Sequence, residues 1–167
     1  MADTIGLIAN ISLALSLVVG LIFGIVQTRA AARDRRERLT LETLAAFQTR
    51  EFTELMYQVL YRDMPSTGDA MRATPAGDQI PMMQFAQQME SLGIVVAEHL
   101  ISLDLVEKTL GTFVTTAWSK YKPLFQDIRE KTPDPFLGEY FQWLAERIEE
   151  RMAKKPRQPF HLTSGGK

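Results

Sequence analysis

The chain has 167 residues, enough for one domain and an anchor, with 46% hydrophobic and 23% charged side chains and a formal net charge of −1. That balance argues against a dedicated nucleic-acid binder, which carries a strong basic excess. With no cysteine there are no disulfides, thiolate nucleophiles or cysteine metal sites, and the two histidines, His99 and His161, show no HExxH-like spacing.

Charge is unevenly spread. Residues 1–26 hold one charged side chain, Asp3, and the next 12 hold seven. The uncharged run from Ile5 to Val26 would form a helix of about 33 Å at about 1.5 Å per residue, which matches a hydrocarbon core of about 30 Å. We read residues 1–27 as a transmembrane anchor, with its span at about 5–26. A cleaved signal peptide is the main rival, with Ala30-Ala31-Ala32 imitating a cleavage site; the acidic start and long apolar run oppose it. A buried core helix, the second rival, is seldom so uniformly apolar beside so charged a border.

Arg29, Arg33, Arg35, Arg36 and Arg38 follow the span, against Asp34 and Glu37. Positive flanks stay in the cytoplasm, so the N-terminus is predicted outside and the rest inside, with the arginines as a topogenic flank that meets lipid headgroups. Within the span, Ser12, Ser16, Gly20 and Gly24 recur every four residues. This small-residue stripe lets two helices approach closely and predicts a homo-oligomer packed through the membrane helix. The alternative is tolerance of small residues facing lipid.

Residues 28–62 read as a basic juxtamembrane segment running into a first long helix, because Leu41, Leu44, Gln48, Phe52, Leu55 and Val59 keep a 3–4 spacing and nothing up to Arg62 breaks it. Residues 63–81, with three prolines and two glycines, read as a long loop. Residues 82–154 read as the helical bundle domain. Its second helix, about 82–100, carries Phe85, Met89, Leu92 and Val96. Asp104 and Glu107 resemble a capping box for a third helix with Val106, Leu110, Phe113 and Ala117, and Pro123 predicts a kink or break near Lys122. Asp134 as cap and Pro135 at the first position start a last helix with Leu137, Phe141, Leu144 and Ile148. Residues 155–167 read as a disordered tail. No strand pattern competes, so the fold class is all-α: one transmembrane helix continuing into a small cytoplasmic bundle of about four helices.

Chemistry is sparse. There is no P-loop, GxGxxG or GxSxG. Glu98-His99 is a conceivable catalytic pair, but a histidine at a helix C-terminus suits the dipole. Trp118, Tyr140, Phe141 and Trp143 would line a pocket or, as aromatic residues at helical spacing more often do, fill the core. Glu146, Glu149 and Glu150, among Arg147 and Arg151, read as a solvated face with ion pairs rather than a cation site. No cofactor, metal or catalytic residue is expected.

Glu90-Ser-Leu-Gly-Ile94, Leu103-Asp-Leu-Val106, Trp118 with Lys122-Pro123 and Arg129, and Tyr140-Phe-Gln-Trp-Leu-Ala-Glu-Arg147 give the segment from about Phe85 to Arg151 a form that resembles the uncharacterised bacterial family DUF4760. The resemblance covers about half of the chain. It implies a frequent single N-terminal membrane helix and carries no activity over. Arg129 is the one polar residue it singles out, for an ion pair within the bundle or for a ligand, the ion pair being the first choice.

The expected function is therefore a membrane-tethered, non-enzymatic helical interaction or signalling module in the bacterial inner membrane, with lipids and an unknown protein as partners and no nucleic acid. The alternative is a helical sensor domain that binds a small ligand or lipid headgroup. A closed polar cavity would favour the sensor; an apolar or charged patch on the outside would favour the interaction module.

Overall fold

A computed structural model describes residues 2–132, 134–159 and 162, with side chains from Ser12 onward. Among the described residues there are six helices and no strand: α1 Ala2–Ala46, α2 Arg50–Tyr61, α3 Gly68–Ala73, α4 Ala76–Ala97, α5 Leu103–Lys131 and α6 Glu139–Lys154. The chain divides into two compact units, Met1–Leu39 and Thr40–Lys167.

The first unit is the apolar and arginine-bearing length of α1. From Ser12 on, α1 contains a helix long and apolar enough to cross a membrane, by length and composition, with a mean hydropathy of 1.8 in its best window. None of that window is buried within the protein, so it is not a core helix.

The second unit is the bundle. Its core joins Phe52, Leu55 and Val59 of α2, Phe85, Met89, Leu92 and Val96 of α4, Val114, Trp118 and Tyr121 of α5, and Phe141, Leu144 and Ile148 of α6. Rings cluster at its centre. Phe85 lies 5.6 Å from Tyr121 in a stacked pair and 5.5 Å from Phe113 edge-to-face, and Phe141 meets Trp118 at 5.2 Å. Such edge-to-face and offset geometry adds to the gain from burying the rings. The stripes expected on α4, α5 and α6 all face this core.

Several boundaries correct the sequence reading. The first helix does not run to Arg62. It stops at Ala46, and Phe47 and Gln48 turn back onto the carbonyls of Leu44 and Ala45. Thr49 then restarts the chain, its Oγ1 accepting the Phe52 N–H at 3.2 Å, while the Phe47 and Phe52 rings meet edge-to-face at 4.9 Å. A threonine between two apolar turns is an N-cap as readily as a helix residue, and periodicity alone does not separate the two.

Residues 63–81 are not one loop. Residues 62–67 and 74–75 are irregular; α3 lies between them, and α4 begins at Ala76 rather than at 82. Gly68 opens α3 and Pro75 is the N-cap of α4, whereas Pro81 lies inside α4, in its second turn, where it removes one helical donor without ending the helix. Gln79 closes the corner by donating its amide to the carbonyls of Thr74 (2.6 Å) and Arg72 (3.2 Å).

Pro123 neither breaks nor ends α5, which is helical from Leu103 to Lys131. Pro123 and Ser119, whose carbonyl loses its helical donor, both face solvent, while Trp118, Tyr121, Leu124 and Phe125 are buried on the other side. Packing of that face outweighs the proline's cost of about 3 kcal/mol. Nor do Asp104 and Glu107 form a capping box. Ser102 is the N-cap, Asp104 pairs with Lys108 at 2.6 Å, and Glu107 is buried against Arg151. The last helix starts at Glu139, four residues after Pro135. Asp134 accepts the Phe136 N–H at 3.1 Å and so organises a turn over 135–138 that ends on Gly138 at φ +71°. Most of the expected disordered tail, like His161, lies outside the described residues.

Candidate functional site: an apolar groove beside the start of α6

Helix ends in the bundle are closed by side chains from distant helices. Lys120 donates to the carbonyls of Val59 (2.9 Å) and Leu60 (2.6 Å) at the end of α2. Thr40 accepts the Ser102 N–H at 3.0 Å, before α5. Asp127 accepts the Gly68 N–H at 2.8 Å, at the start of α3. Its hydrogen bond from Lys131, with that from the Gly68 amide, holds the Asp127 carboxyl below the usual carboxylate range.

The start of α6 is the most elaborate of these junctions. The Glu90 carboxylate, on α4, accepts the N–H groups of Tyr140 (3.2 Å) and Phe141 (2.8 Å). These are two of the amides that a helix N-terminus leaves unpaired, and the negative charge suits the dipole. One turn on, Gly93 lets the backbone of Tyr140 against α4; a β-carbon there would lie 2.9 Å from that of Tyr140 and closer still to its carbonyl. Glu90 and Gly93, at i and i+3, thus act together, which gives the Glu90-Ser-Leu-Gly93 motif a physical meaning.

Beside this junction runs a groove of about 610 Å³. Its walls are Met71 of α3, Met82, Met83, Ala86, Gln87, Glu90, Ser91 and Ile94 of α4, Tyr121, Leu124, Phe125 and Ile128 of α5, and Leu137 and Gly138 of the turn before α6. The floor is the buried face of α5, and the outer lip is open, with Met83 62% and Ile94 39% exposed. Tyr121 donates its hydroxyl to the carbonyl of Met82 at 2.8 Å, and burial pushes the phenol's pKa well up, so it stays neutral. The site is apolar with a few fixed polar groups, the usual composition of a binding groove.

Two other hollows are more polar than this one. One, of about 490 Å³, runs between Thr43, Ala46 and Phe47 and the glutamines Gln84, Gln87 and Gln88 of α4. The other, of about 1040 Å³, surrounds the Arg151–Glu107 and Arg151–Asp104 ion pairs, the latter at 3.3 Å.

Sequence-predicted positions are placed as follows. Ser12, Ser16, Gly20 and Gly24 are exposed on α1, and a β-carbon at Gly20 or Gly24 would meet nothing within 4 Å. Arg29, Arg33, Arg35, Arg36 and Arg38 are exposed on the same helix, with Arg33 paired to Glu37 at 2.9 Å. Arg129 makes no ion pair with any described residue, contrary to the first expectation. Its Nε donates to the carbonyl of Leu137 at 2.8 Å, its Nη1 to Oε1 of Gln142 at 2.6 Å, and its Nη2 is buried without a partner.

His99 sits at φ +57° just past α4. The amides of His99 and Leu100 return to the carbonyls of Val96 and Val95, both at 3.0 Å, a Schellman closure with histidine where glycine is usual. Trp118 and Phe141 are core, whereas Trp143 is 37% exposed. Glu146 and Glu150 are engaged by Gln142, Arg147 and Lys154, and among the described residues no group of three metal-ligating side chains converges.

Sequence reasoning missed Glu90, Gly93, Met71, Lys120 and Asp127 as working parts. Glu90 and Gly93 stood inside a quoted motif, the one signal available; Met71 lay in a segment read as loop.

No curated protein and no solved structure matches the chain. The sequence profile of DUF4760, a domain of unknown function, matches residues 14–148. That span is wider than the motifs from Phe85 to Arg151 implied; it begins within α1, takes in all of the groove and ends in α6. The chain belongs to the DUF4760 family.

Proposed function

We propose that this chain is a membrane-tethered, non-enzymatic helical interaction or signalling module, anchored once in the bacterial inner membrane with its N-terminus outside and its bundle in the cytoplasm, and working through the groove beside α6. The tether is supported by the exposed apolar helix with a mean hydropathy of 1.8 and by the five arginines that follow it. Lipids are then its constant neighbours, and the small-residue stripe offers a route to a homo-oligomer.

The observation that carries this reading is the groove. It is an open apolar hollow of about 610 Å³, flanked by exposed Met83 and Ile94, on the outside of a tightly packed bundle. Exposed apolar surface on a folded domain is retained where something binds. The groove is open and apolar, whereas a closed polar cavity is what would favour the sensor.

The test is photocrosslinking in living cells. A photoreactive amino acid replacing Met83 should give a discrete adduct, and the same residue replacing Tyr57, exposed on α2 and outside the groove, should give none. No adduct at Met83, or the same adducts at both positions, would overturn the groove as the working surface.

A further inference from the structure

We propose that the basic hollow between the start of α5 and the end of α6 docks on the anionic phospholipid headgroups of the cytoplasmic leaflet. This rests on the tether and goes beyond it, since the anchor itself needs no lipid of a particular charge.

Charge in the bundle is sorted by position. From Thr40 to Glu150 the chain carries nine basic and seventeen acidic side chains. After Glu150 it carries Arg151, Lys154, Lys155, Arg157 and Lys167 and no acid. The first four of these line the hollow of about 1040 Å³, together with Lys108 of α5. The carboxylates of the hollow are Asp104 and Glu107. Three positive charges are thus in excess, in a chain whose net charge is −1.

The pairs made inside the hollow leave that excess in place. Arg151 is shared between Glu107 and Asp104, and Asp104 also holds Lys108 at 2.6 Å. Lys154 reaches Glu150 at 3.7 Å, and Arg157 donates to the neutral carbonyl of Glu107 at 3.4 Å. Lys155 makes no ion pair with any described residue. Lys154, Lys155 and Arg157 are all exposed. Cations in a last turn suit the helix dipole, which accounts for Arg151 and Lys154. Lys155 and Arg157 lie past that turn.

Connectivity puts this surface where the chain enters the bundle. Thr40, the first residue of the second unit, accepts the Ser102 N–H at 3.0 Å, and Ser102 is the N-cap of α5, two residues before Asp104. Thr40 itself follows Val26 by 14 residues, about 21 Å of helix. Leu100, 51% exposed, adds an apolar side chain to the turn before α5. A short tether keeps the hollow at high effective concentration beside the lipid, so a charge excess too small to recruit a free protein holds a tethered one.

A surface of phosphates fits this arrangement better than one soluble anion. The cations are spread over the start of α5, the end of α6 and the chain beyond it, and none is buried. Lysines act as mobile point charges and engage an array of phosphates without one fixed geometry. Lys108 and Leu124, which line the hollow and the groove, are 16 residues apart on α5, about 24 Å. Docking by the basic end holds the groove away from the lipid and open to the cytoplasm.

The chain has no cysteine, so a single one can carry a fluorophore. Gln158→Cys lies in the hollow and Gln126→Cys on the groove half of α5, both exposed. The labelled full chain is placed in nanodiscs of phosphatidylcholine bearing a headgroup quencher, with or without a third of phosphatidylglycerol. Phosphatidylglycerol should raise quenching at 158 and not at 126, and salt at about 1 M, where the screening length is about 3 Å, should reverse it. Lys155→Gln should lower the ratio of docked to undocked bundle about fivefold, the effect of one cation at an anionic surface. Lys154→Glu, Lys155→Glu and Arg157→Glu together should abolish docking with helicity intact. Equal quenching at 158 in both lipids, the same response at 126, or undiminished docking of the triple variant overturns the proposal. So does release by millimolar inorganic phosphate at constant ionic strength, which would make the hollow a site for a soluble anion. A chain that nanodiscs of phosphatidylcholine do not retain refutes the tether and this proposal with it. A retained chain whose label at 158 ignores phosphatidylglycerol refutes the docking alone.

Discussion

Gly93 and Tyr140 touch backbone to backbone, and α4 and α6 can pack only because the residue at 93 has no side chain. Gly93→Ala should therefore destabilise the bundle by about 3 kcal/mol or more, since neither backbone can yield cheaply. Glu90→Gln keeps one acceptor of two and should cost about 1 to 2 kcal/mol. Urea unfolding of the full chain in micelles, followed by the fluorescence of buried Trp118, would rank them. Equal stability of Gly93→Ala and the parent would show that the two helices are not in contact.

The buried Tyr121 phenol makes stability fall in alkali. Its folded pKa is raised by burial, whereas an unfolded tyrosine ionises near pH 10. The contribution is fully present below pH 10 and is lost as pH rises, because only the unfolded chain then releases the proton. Tyr121→Phe should cost stability at pH 7 through the lost bond to the Met82 carbonyl, yet decline less steeply above pH 10. Parallel decline in both proteins would refute it.

His99 holds a left-handed backbone conformation that glycine adopts without penalty. His99→Gly should stabilise the bundle by about 0.5 to 1 kcal/mol. A loss of stability instead would mean that the imidazole does more than close α4.

How far the sequence foretold these features depends on where each signal resides. The apolar stripes of α4, α5 and α6 were legible because Phe85, Met89, Leu92 and Val96, for example, repeat with the helix period. The junctions were not. Glu90 sits between Met89 and Ser91 as an ordinary surface acid would, and nothing nearby reveals that its partners are amides 50 residues on. Arg129 was visible through its motif, but its neutral partners were not. The groove's Met71 wall was hidden because a six-residue helix is shorter than the window in which periodicity can be seen.

A reporter active only in the cytoplasm, fused after Lys167, should be active. The five arginines after Val26 motivate this orientation. Degradation of the C-terminal bundle by protease added to intact spheroplasts would reverse it.

Association through α1 should centre on Gly20 and Gly24. Both are exposed, and a side chain added at either meets nothing within the chain. Gly20→Ile therefore leaves the protomer intact while holding two copies apart. In a membrane two-hybrid assay it should weaken association, whereas Leu17→Ala, off the stripe, should matter less. Undiminished association of Gly20→Ile would show that the stripe merely faces lipid.

The distant closure of helix ends also sets when the protein can be finished during synthesis. The carbonyls ending α2 wait for Lys120, the amide opening α3 waits for Asp127 and that of Ser102 depends on Thr40, each pair about 60 residues apart along the chain. At about 5 to 20 residues per second, α2 and α3 emerge from the ribosome some seconds before their closing residues exist. A ribosome that stalls before α5 releases a chain with open helix ends and an uncovered aromatic cluster, a form that quality-control proteases can distinguish from the completed bundle.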